Sequence, residues 1–306
     1  MKRKHILGRA SGITLLALLS LFINQYFANP DSGKQEVHNQ NDSNIMEVHF
    51  IDVGQGDSIL IEIGDSAMLI DAGENNQGST VVKYLQSQDI DHLDYVIGTH
   101  PHSDHIGGLD TVIDSIPVEN IILPQVAHTT KTFEDVLNAV EAAGKQLTKP
   151  RVGDTYSLGS ATFTIIAPNS EEYEDLNNYS VGIKLNHGNN SFLFTGDAEK
   201  LSENEMLKNG IDLSADVLKL GHHGSTNSSS SDFLDAVNPE YAIICAGVGN
   251  EYGHPHVEIL QDMLDLNIKI YRTDLQGTVV FTSDGRHISV NAHEYIVSEE
   301  DLLRDK

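Results

Sequence analysis

The stretch that most constrains this chain is YVIGTHPHSDH, residues 95–105. YVIGT is a short run of apolar and β-favouring residues, which predicts a buried strand. It leads straight into three histidines and an aspartate within six positions: His100, His102, Asp104 and His105. On a loop at a strand's C-terminal end, side chains two apart can converge on one point. His100 and His102 can then share one metal ion while Asp104 and His105 turn toward a second. Imidazole nitrogen and carboxylate oxygen suit zinc, manganese or iron rather than calcium. Pro101 stiffens the loop, and Gly107 and Gly108 let the next helix begin close to the site.

From Met46 onward, short apolar strands alternate with helical patterns. MEVHFIDV, SILIEI and AMLIDAG read as strands, with turns at VGQGD and IGDS. STVVKYLQSQ is helical, GGLDTVIDSI a helix, ENIILP a strand, and TFEDVLNAVEAAGK a helix ended near Gly144. A second round follows. DTYSL, ATFTIIAP, YSVGIKLNHG, SFLFTGD, ADVLKLG, EYAIICAG, KIYRTD and GTVVFTS are strands, while LSENEMLKNG, SSDFLDAV and HVEILQDMLDLN are helices. Two successive blocks of strands and helices predict two sheets packed together with helices outside.

The first residues differ from the rest. Lys2, Arg3, Lys4 and Arg9 precede ITLLALLSLFI, a basic segment followed by an apolar one of signal-peptide length. A membrane span needs about 20 apolar residues. Residues 1–28 are therefore expected to be a signal peptide cleaved near Ala28, or an uncleaved N-terminal anchor in the membrane. Residues 29–44 are expected to be a polar linker, 45–292 the working domain, and 293–306 a frayed helix or tail. This places the domain outside the cytoplasmic membrane, secreted or tethered to its outer face. The single cysteine, Cys245, excludes an internal disulfide and is expected as a small buried hydrophobe. The net charge of -26 repels polyanions at long range, so a nucleic-acid or teichoic-acid substrate needs metal ions or a local basic patch. Lys184, Lys219 and Arg272 are too few to form such a groove.

Other chemistry-bearing residues also fall at strand ends. Asp71 closes AMLIDAG, Asp197 closes SFLFTGD, His222 and His223 follow VLKLG, and His254 lies in YGHPH. Together they set carboxylates and imidazoles along one edge, where sites form.

Taken together, THPHSDH, LIDAG, TGD and GHHGS resemble the metallo-β-lactamase superfamily. HFIDVGQGDSILIE, NNYSVGIKL, DVLKLGHHGSTNSSS and NEYGHPH resemble one branch of it, the extracellular metallohydrolase domain of ComEC-type competence (DNA-uptake) proteins. The likeness runs from about Met46 to Ser283. With no long apolar segments following, the chain is expected to be a stand-alone relative of that domain. The resemblance implies an α/β (α+β) fold, a four-layer αββα sandwich, with two divalent ions at one edge, zinc first and manganese second. His100 and His102 would hold the first ion, Asp104 and His105 the second, and Asp197 would bridge them. The late histidine falls at His222 or His223. His223 is favoured because adjacent residues at a strand end point in opposite directions, leaving the other to support the loop or meet substrate. Asp71 is expected to orient a ligand histidine. Where many members have another histidine, Asn178 and Ser180 stand here, so the first ion is expected to be under-coordinated, more loosely bound, or absent until substrate arrives. His187, in an expected solvated turn, is a weak candidate for that ligand.

The reaction so implied is hydrolysis by a metal-activated hydroxide. Asp104 is a candidate base, and His254 is a candidate general acid or oxyanion partner set against a purely structural role. A phosphodiesterase or nuclease acting on DNA or related phosphodiesters is the leading expectation. Alternatives are a cell-wall phosphoester esterase (phosphocholine or teichoic acid), a lactone or β-lactam hydrolase, and a non-catalytic binding domain stabilised by metal. No protein partner is implied.

Overall fold

The computed structural model describes residues 44–126 and 128–303. The expected leader, and all but the last residue of the expected linker, lie outside the described residues. Among the described residues no helix is long and apolar enough to cross a membrane.

The first sheet begins with β1 (Met46–Phe50), β2 (Ile59–Ile63) and β3 (Ser66–Ile70), an antiparallel meander. It continues with β4 (Leu93–Ile97), β5 (Val118–Ile122) and the two-residue β6 (Leu147–Thr148), all parallel to β3. The second sheet has the same plan. Here β7 (Thr155–Leu158), β8 (Ala161–Ala167), β9 (Gly182–His187) and β10 (Asn190–Phe194) are antiparallel. Beside them β11 (Val217–Lys219), β12 (Tyr241–Ile244) and β13 (Lys269–Arg272) run parallel to β10. The last two strands, β14 (Val279–Ser283) and β15 (Ile288–Val290), do not extend this second sheet. They return to the first and pair beside β1, giving the order β15-β14-β1-β2-β3-β4-β5-β6 against β13-β12-β11-β10-β9-β8-β7.

Strand alternation explains the layers. In β1, Met46, Val48 and Phe50 are buried between the sheets, where Phe163, Phe192, Phe194 and Phe281 join them. Phe50 meets Phe194 at a centroid distance of 6.1 Å and Phe281 at 5.7 Å. Burying Val279 and Phe281 in this interface is what brings β14 back to the first sheet. Each such side chain contributes roughly 1.5–3 kcal/mol.

The outer faces carry helices. The first sheet is covered by α1 (Gly78–Ser87), α2 (Ser103–Ile106), α3 (Leu109–Ser115) and α4 (Lys131–Ala142), around a second core that includes Val81, Leu85, Val112 and Val136. Over the second sheet lie α5 (Lys200–Lys208), α6 (Ser231–Val237) and α7 (Val257–Asp265), burying Met206, Phe233, Leu260 and Met263. The short α8 (Thr273–Gln276) follows β13. The result is the four-layer αββα sandwich that the resemblance implies.

The segment after residue 293, expected to fray, is docked as far as Leu302. Tyr295 N–H donates to the Ile270 carbonyl at 2.7 Å, its ring covers the Arg272 guanidinium at 4.9 Å, and Asp301 is buried against Ser298. An apolar pattern too short to read as an element is held here by an edge strand and a buried carboxylate.

Candidate metal centre

Parallel strands of both sheets end at one rim, and the candidate residues stand just beyond those ends. Asp71 follows β3, Thr99 and His100 follow β4, Asp197 follows β10, and His222 and His223 follow β11. Gly196 makes the approach of the two sheets possible. Its φ is +53°, and a Cβ there would lie 2.9 Å from the Thr99 Cβ and 3.0 Å from the Ser180 Oγ.

One donor set is tightly gathered. The His105 Nδ1–H donates to the Asp71 carboxylate at 2.8 Å, because a carboxylate can only accept. This turns Nε2 toward Asp197 Oδ2 at 3.2 Å. Asp71 is itself fixed by the Thr99 N–H (2.8 Å) and hydroxyl (2.7 Å). His223 repeats the device. Its Nδ1–H donates to the Cys245 carbonyl at 2.8 Å, and Nε2 lies 3.2 Å from Asp104 Oδ2 and 3.4 Å from Asp197 Oδ2. Cys245 is fully buried, as expected.

The other set is looser. The Thr99 hydroxyl proton is committed to Asp71, so the His100 Nδ1–H donates to Thr99 Oγ1 at 3.1 Å, with the Ser180 hydroxyl at 3.3 Å. The His100 Nε2 then faces His102 Nδ1 at 3.0 Å and Asp197 Oδ2 at 4.0 Å. His102 caps the N-terminus of α2, whose first turn carries Asp104 and His105. Ser180 also accepts the Asp197 backbone N–H at 3.1 Å, so it touches both a candidate ligand and the backbone that carries the shared carboxylate. Asn178 acts one step further out. Its carbonyl accepts the backbone N–H groups of Glu199 and Ser202, bracing the start of α5.

The argument that adjacent histidines must diverge fails at GHHGS. His222 (φ 50°) and His223 (φ 55°) are both left-handed, and both rings reach the same oxygen. The His222 Nε2 stands 3.7 Å from Asp197 Oδ2 on the exposed side, with its Nδ1 3.8 Å from Glu199. His187 also differs from expectation. It is the last residue of β9, buried, and bonded to the Ser283 hydroxyl at 2.8 Å. The site lies at the other end of β9, by Ser180, so His187 is no ligand.

Sequence reasoning missed Asp57, read as part of a turn. It is buried and paired with Lys219. Its oxygens lie on the Nδ1 sides of His223 (3.4 Å) and His105 (3.8 Å), behind both rings. The signal was a carboxylate directly after a glycine turn (Gly54, Gly56) and before an apolar strand. Gly56 lies so close to α2 that a Cβ there would sit 2.1 Å from the Asp104 carbonyl oxygen. The other two cations are also committed, Lys184 to Asp212 (2.9 Å) and Arg272 bidentately to Asp274.

Charge and burial define what fits. Burial opposes ionisation of Asp57 and Asp104, yet Lys219 holds Asp57 down to about 2, and His105 and His223 hold Asp104 low. Burial would also strip His105 and His223 of a proton, but Asp197 and its neighbours keep a positive charge favoured on both rings. With both rings neutral, as metal ligation requires, four carboxylates (Asp57, Asp71, Asp104, Asp197) face the one buried ammonium of Lys219, leaving three negative charges for cations to offset. Asp57 Oδ1, His105 Nε2, Asp197 Oδ1 and His223 Nε2 are buried with no hydrogen-bond partner among the described residues. Ligand atoms of Asp57, His105, Asp197 and His223 lie within 4.8 Å of one another. Orphaned nitrogen and oxygen donors in a negative pocket fit divalent transition metals.

The centre opens into a cleft of about 270 Å³ lined by His102, Asp104, His222, His223, Tyr252 and His254. Burial and the neighbouring histidines push His254 down to about 3, so its ring is neutral.

A model of the metallo-β-lactamase superfamily matches residues 51–248. Among curated proteins, the chain is 31% identical to ComE operon protein 3 of Bacillus subtilis, over 78% of this chain and 33% of that protein. It is 32% identical to competence protein ComA of Neisseria gonorrhoeae, over 75% and 31% respectively. The chain thus spans about a third of the length of these relatives. Among solved structures, the metallo-β-lactamase fold protein YhfI from Bacillus subtilis superposes with a TM-score of 0.55 at 12% identity, covering 78% of this chain and all of that one. CmlA, a diiron β-hydroxylase from Streptomyces venezuelae, gives 0.52 at 15% identity, covering 78% and 54%. Motif order, layered fold and matched family agree: the chain belongs to the metallo-β-lactamase superfamily, as a relative of ComEC-type competence proteins.

Proposed function

We propose that this domain is a metal-dependent phosphodiesterase that cleaves DNA or related short phosphodiesters at the outer face of the cytoplasmic membrane, delivered there by residues 1–28. One observation carries the reading. A single carboxylate oxygen, Asp197 Oδ2, lies 3.2–4.0 Å from nitrogens of His105, His223, His222 and His100. An oxygen reached from both sides suits a bridge between two cations, and a cation pair suits in-line displacement at phosphate. Likeness to the ComEC-type metallohydrolase domain supports DNA as the substrate class.

His100, His102 and Asp197 would hold one ion, with His222 on the side where the family's further histidine is lacking. Asp104, His105, His223 and Asp197 would hold the other, with Asp71 and the Cys245 carbonyl orienting its histidines and Asp57 lying behind them. Such cations supply Lewis acidity toward water and phosphate oxygens. The protein's own groups do the rest. Asp104 is ionised and only partly covered, so it can accept a hydrogen bond from a water in the cleft and orient it, while the pull of His105 and His223 keeps it a weak base. His254, being neutral, can donate a hydrogen bond to an oxygen gaining charge, which favours the oxyanion role over that of an imidazolium acid. Zinc is the first choice and manganese the second.

The test is a side-by-side assay of the zinc- or manganese-loaded protein on bis-p-nitrophenyl phosphate, single-stranded DNA and nitrocefin. Turnover of the phosphodiesters is expected. Failure on every phosphodiester at full metal loading would sink the reading. Asp197→Ala is expected to reduce bound metal below two equivalents and to abolish turnover, as read by elemental analysis beside the assay.

A further inference from the structure

Beside the metal cleft lies a larger groove of about 610 Å³ that none of the roles above uses. Tyr252 and His254 line both spaces, so the two adjoin. The groove's other walls include Val248 and Leu275. Val248 is 80% exposed, Tyr252 58% and Leu275 51%, three large apolar side chains gathered at one opening. The Tyr252 ring stacks on that of His254, with centroids 5.6 Å apart and planes inclined by 21°.

The platform is braced from within. The Asn250 side chain accepts the His254 N–H at 2.9 Å and donates to the carbonyls of His254 (2.7 Å) and Gly247 (3.0 Å), closing the loop on itself. His256 ties it to the neighbouring chain. Its Nδ1 accepts the Thr226 N–H at 3.0 Å, which leaves Nε2–H to donate to the Tyr252 carbonyl at 3.3 Å. A rigid aromatic face therefore exists before any ligand arrives.

Two observations define the occupant. Among the described residues no lysine or arginine lines the groove, whereas Glu258 does, and the Asp274 carboxylate is already neutralised by Arg272, so nothing there attracts a phosphate and an uncharged group is preferred. The His254 Nδ1 is buried without a hydrogen-bond partner among the described residues, and the ring borders the space. A flat, uncharged ring with polar edges satisfies both. We propose that this groove seats the nucleobase next to the scissile phosphodiester, stacked on Tyr252 and within reach of the His254 ring. The metal cleft would then receive the phosphate, and short single-stranded substrates would be held by base stacking rather than by backbone charge. The inference rests on the phosphodiesterase reading for what occupies the cleft, but the seat itself can be tested without turnover.

The probe is a dinucleotide carrying 2-aminopurine, whose fluorescence falls on stacking, titrated into the full chain with chelator present so that nothing is cleaved. Quenching is expected in the wild type and in Tyr252→Phe. Tyr252→Ala is expected to weaken binding about 5- to 150-fold, the usual worth of one base–aromatic stack, and Leu275→Ala is expected to weaken it less. A dinucleotide lacking that base should not displace the probe. Binding by Tyr252→Ala within twofold of wild type, or full displacement by the abasic competitor, would overturn the proposal. Quenching that persists in a protein that hydrolyses no phosphodiester would support the base seat and refute the reaction.

Discussion

His222 and His223 both occupy left-handed backbone, a state that costs on the order of 1–3 kcal/mol for a non-glycine residue. Asp71, also left-handed, stands opposite them. The strain gathers at the rim, where two histidines turn toward one carboxylate oxygen and Asp71 turns to the back of His105. Asp71 binds no ion in this account. It fixes the tautomer of His105 through a 2.8 Å bond, and Asp71→Asn keeps the shape while losing the charge. The variant is expected to lower metal affinity about 10- to 100-fold, measured by competition with a chromophoric chelator. Unchanged affinity would mean that Asp71 only holds Thr99.

Among elements, the decisive contact joins the β1–β2 loop to β11 through Asp57 and Lys219, both buried. Removing one partner of a buried pair costs about 3–5 kcal/mol, so Lys219→Met is expected to lose about that much at pH 7 by urea unfolding of the chelated protein. The pair also sets a pH dependence. Asp57 falls from 3.8 to about 2 in the folded state, so its contribution is complete above pH ~4 and is lost as pH drops through 2. The gap between wild type and Lys219→Met should therefore narrow over that interval, and a gap constant with pH would contradict the assignment. This pair also marks the limit of what the sequence makes legible. The parallel strands were readable because β4, β10 and β11 are short apolar runs ending in polar residues. Most of the rim was legible for the same reason. Asp57 was not, because glycines 54 and 56 read as a turn and its partner lies 162 positions away, so only the packed sheets bring it in. Likewise β14 continued the second block in order but joins the first sheet, a choice made by Phe281 packing between layers and not by its own pattern. The doubled histidine misled because strand geometry was assumed where the backbone is left-handed.

On the scale of the whole molecule, 45 acidic residues against 19 basic ones set a repulsive field toward any polyanion. Screening length falls from about 30 Å at 0.01 M salt to about 8 Å at 0.15 M. Proteins that hold nucleic acid by cationic contacts lose affinity with salt. Here the sign should reverse, with kcat/KM on a single-stranded oligonucleotide rising between 0.01 and 0.15 M monovalent salt at fixed divalent ion. A steep fall would reveal a cationic surface that the described residues do not provide.

The shared carboxylate of Asp197 follows a strand of the second sheet, and His105 lies in the helix that follows β4 of the first, 3.2 Å away. Any ion gripped between them rivets the two halves of the sandwich. Unfolding must then expel the ion, and ligand held only by the native state adds about 1.4 kcal/mol for each tenfold excess over its dissociation constant. The melting temperature should climb with the logarithm of free zinc or manganese, making heat resistance a gauge of how well the protein is supplied with metal.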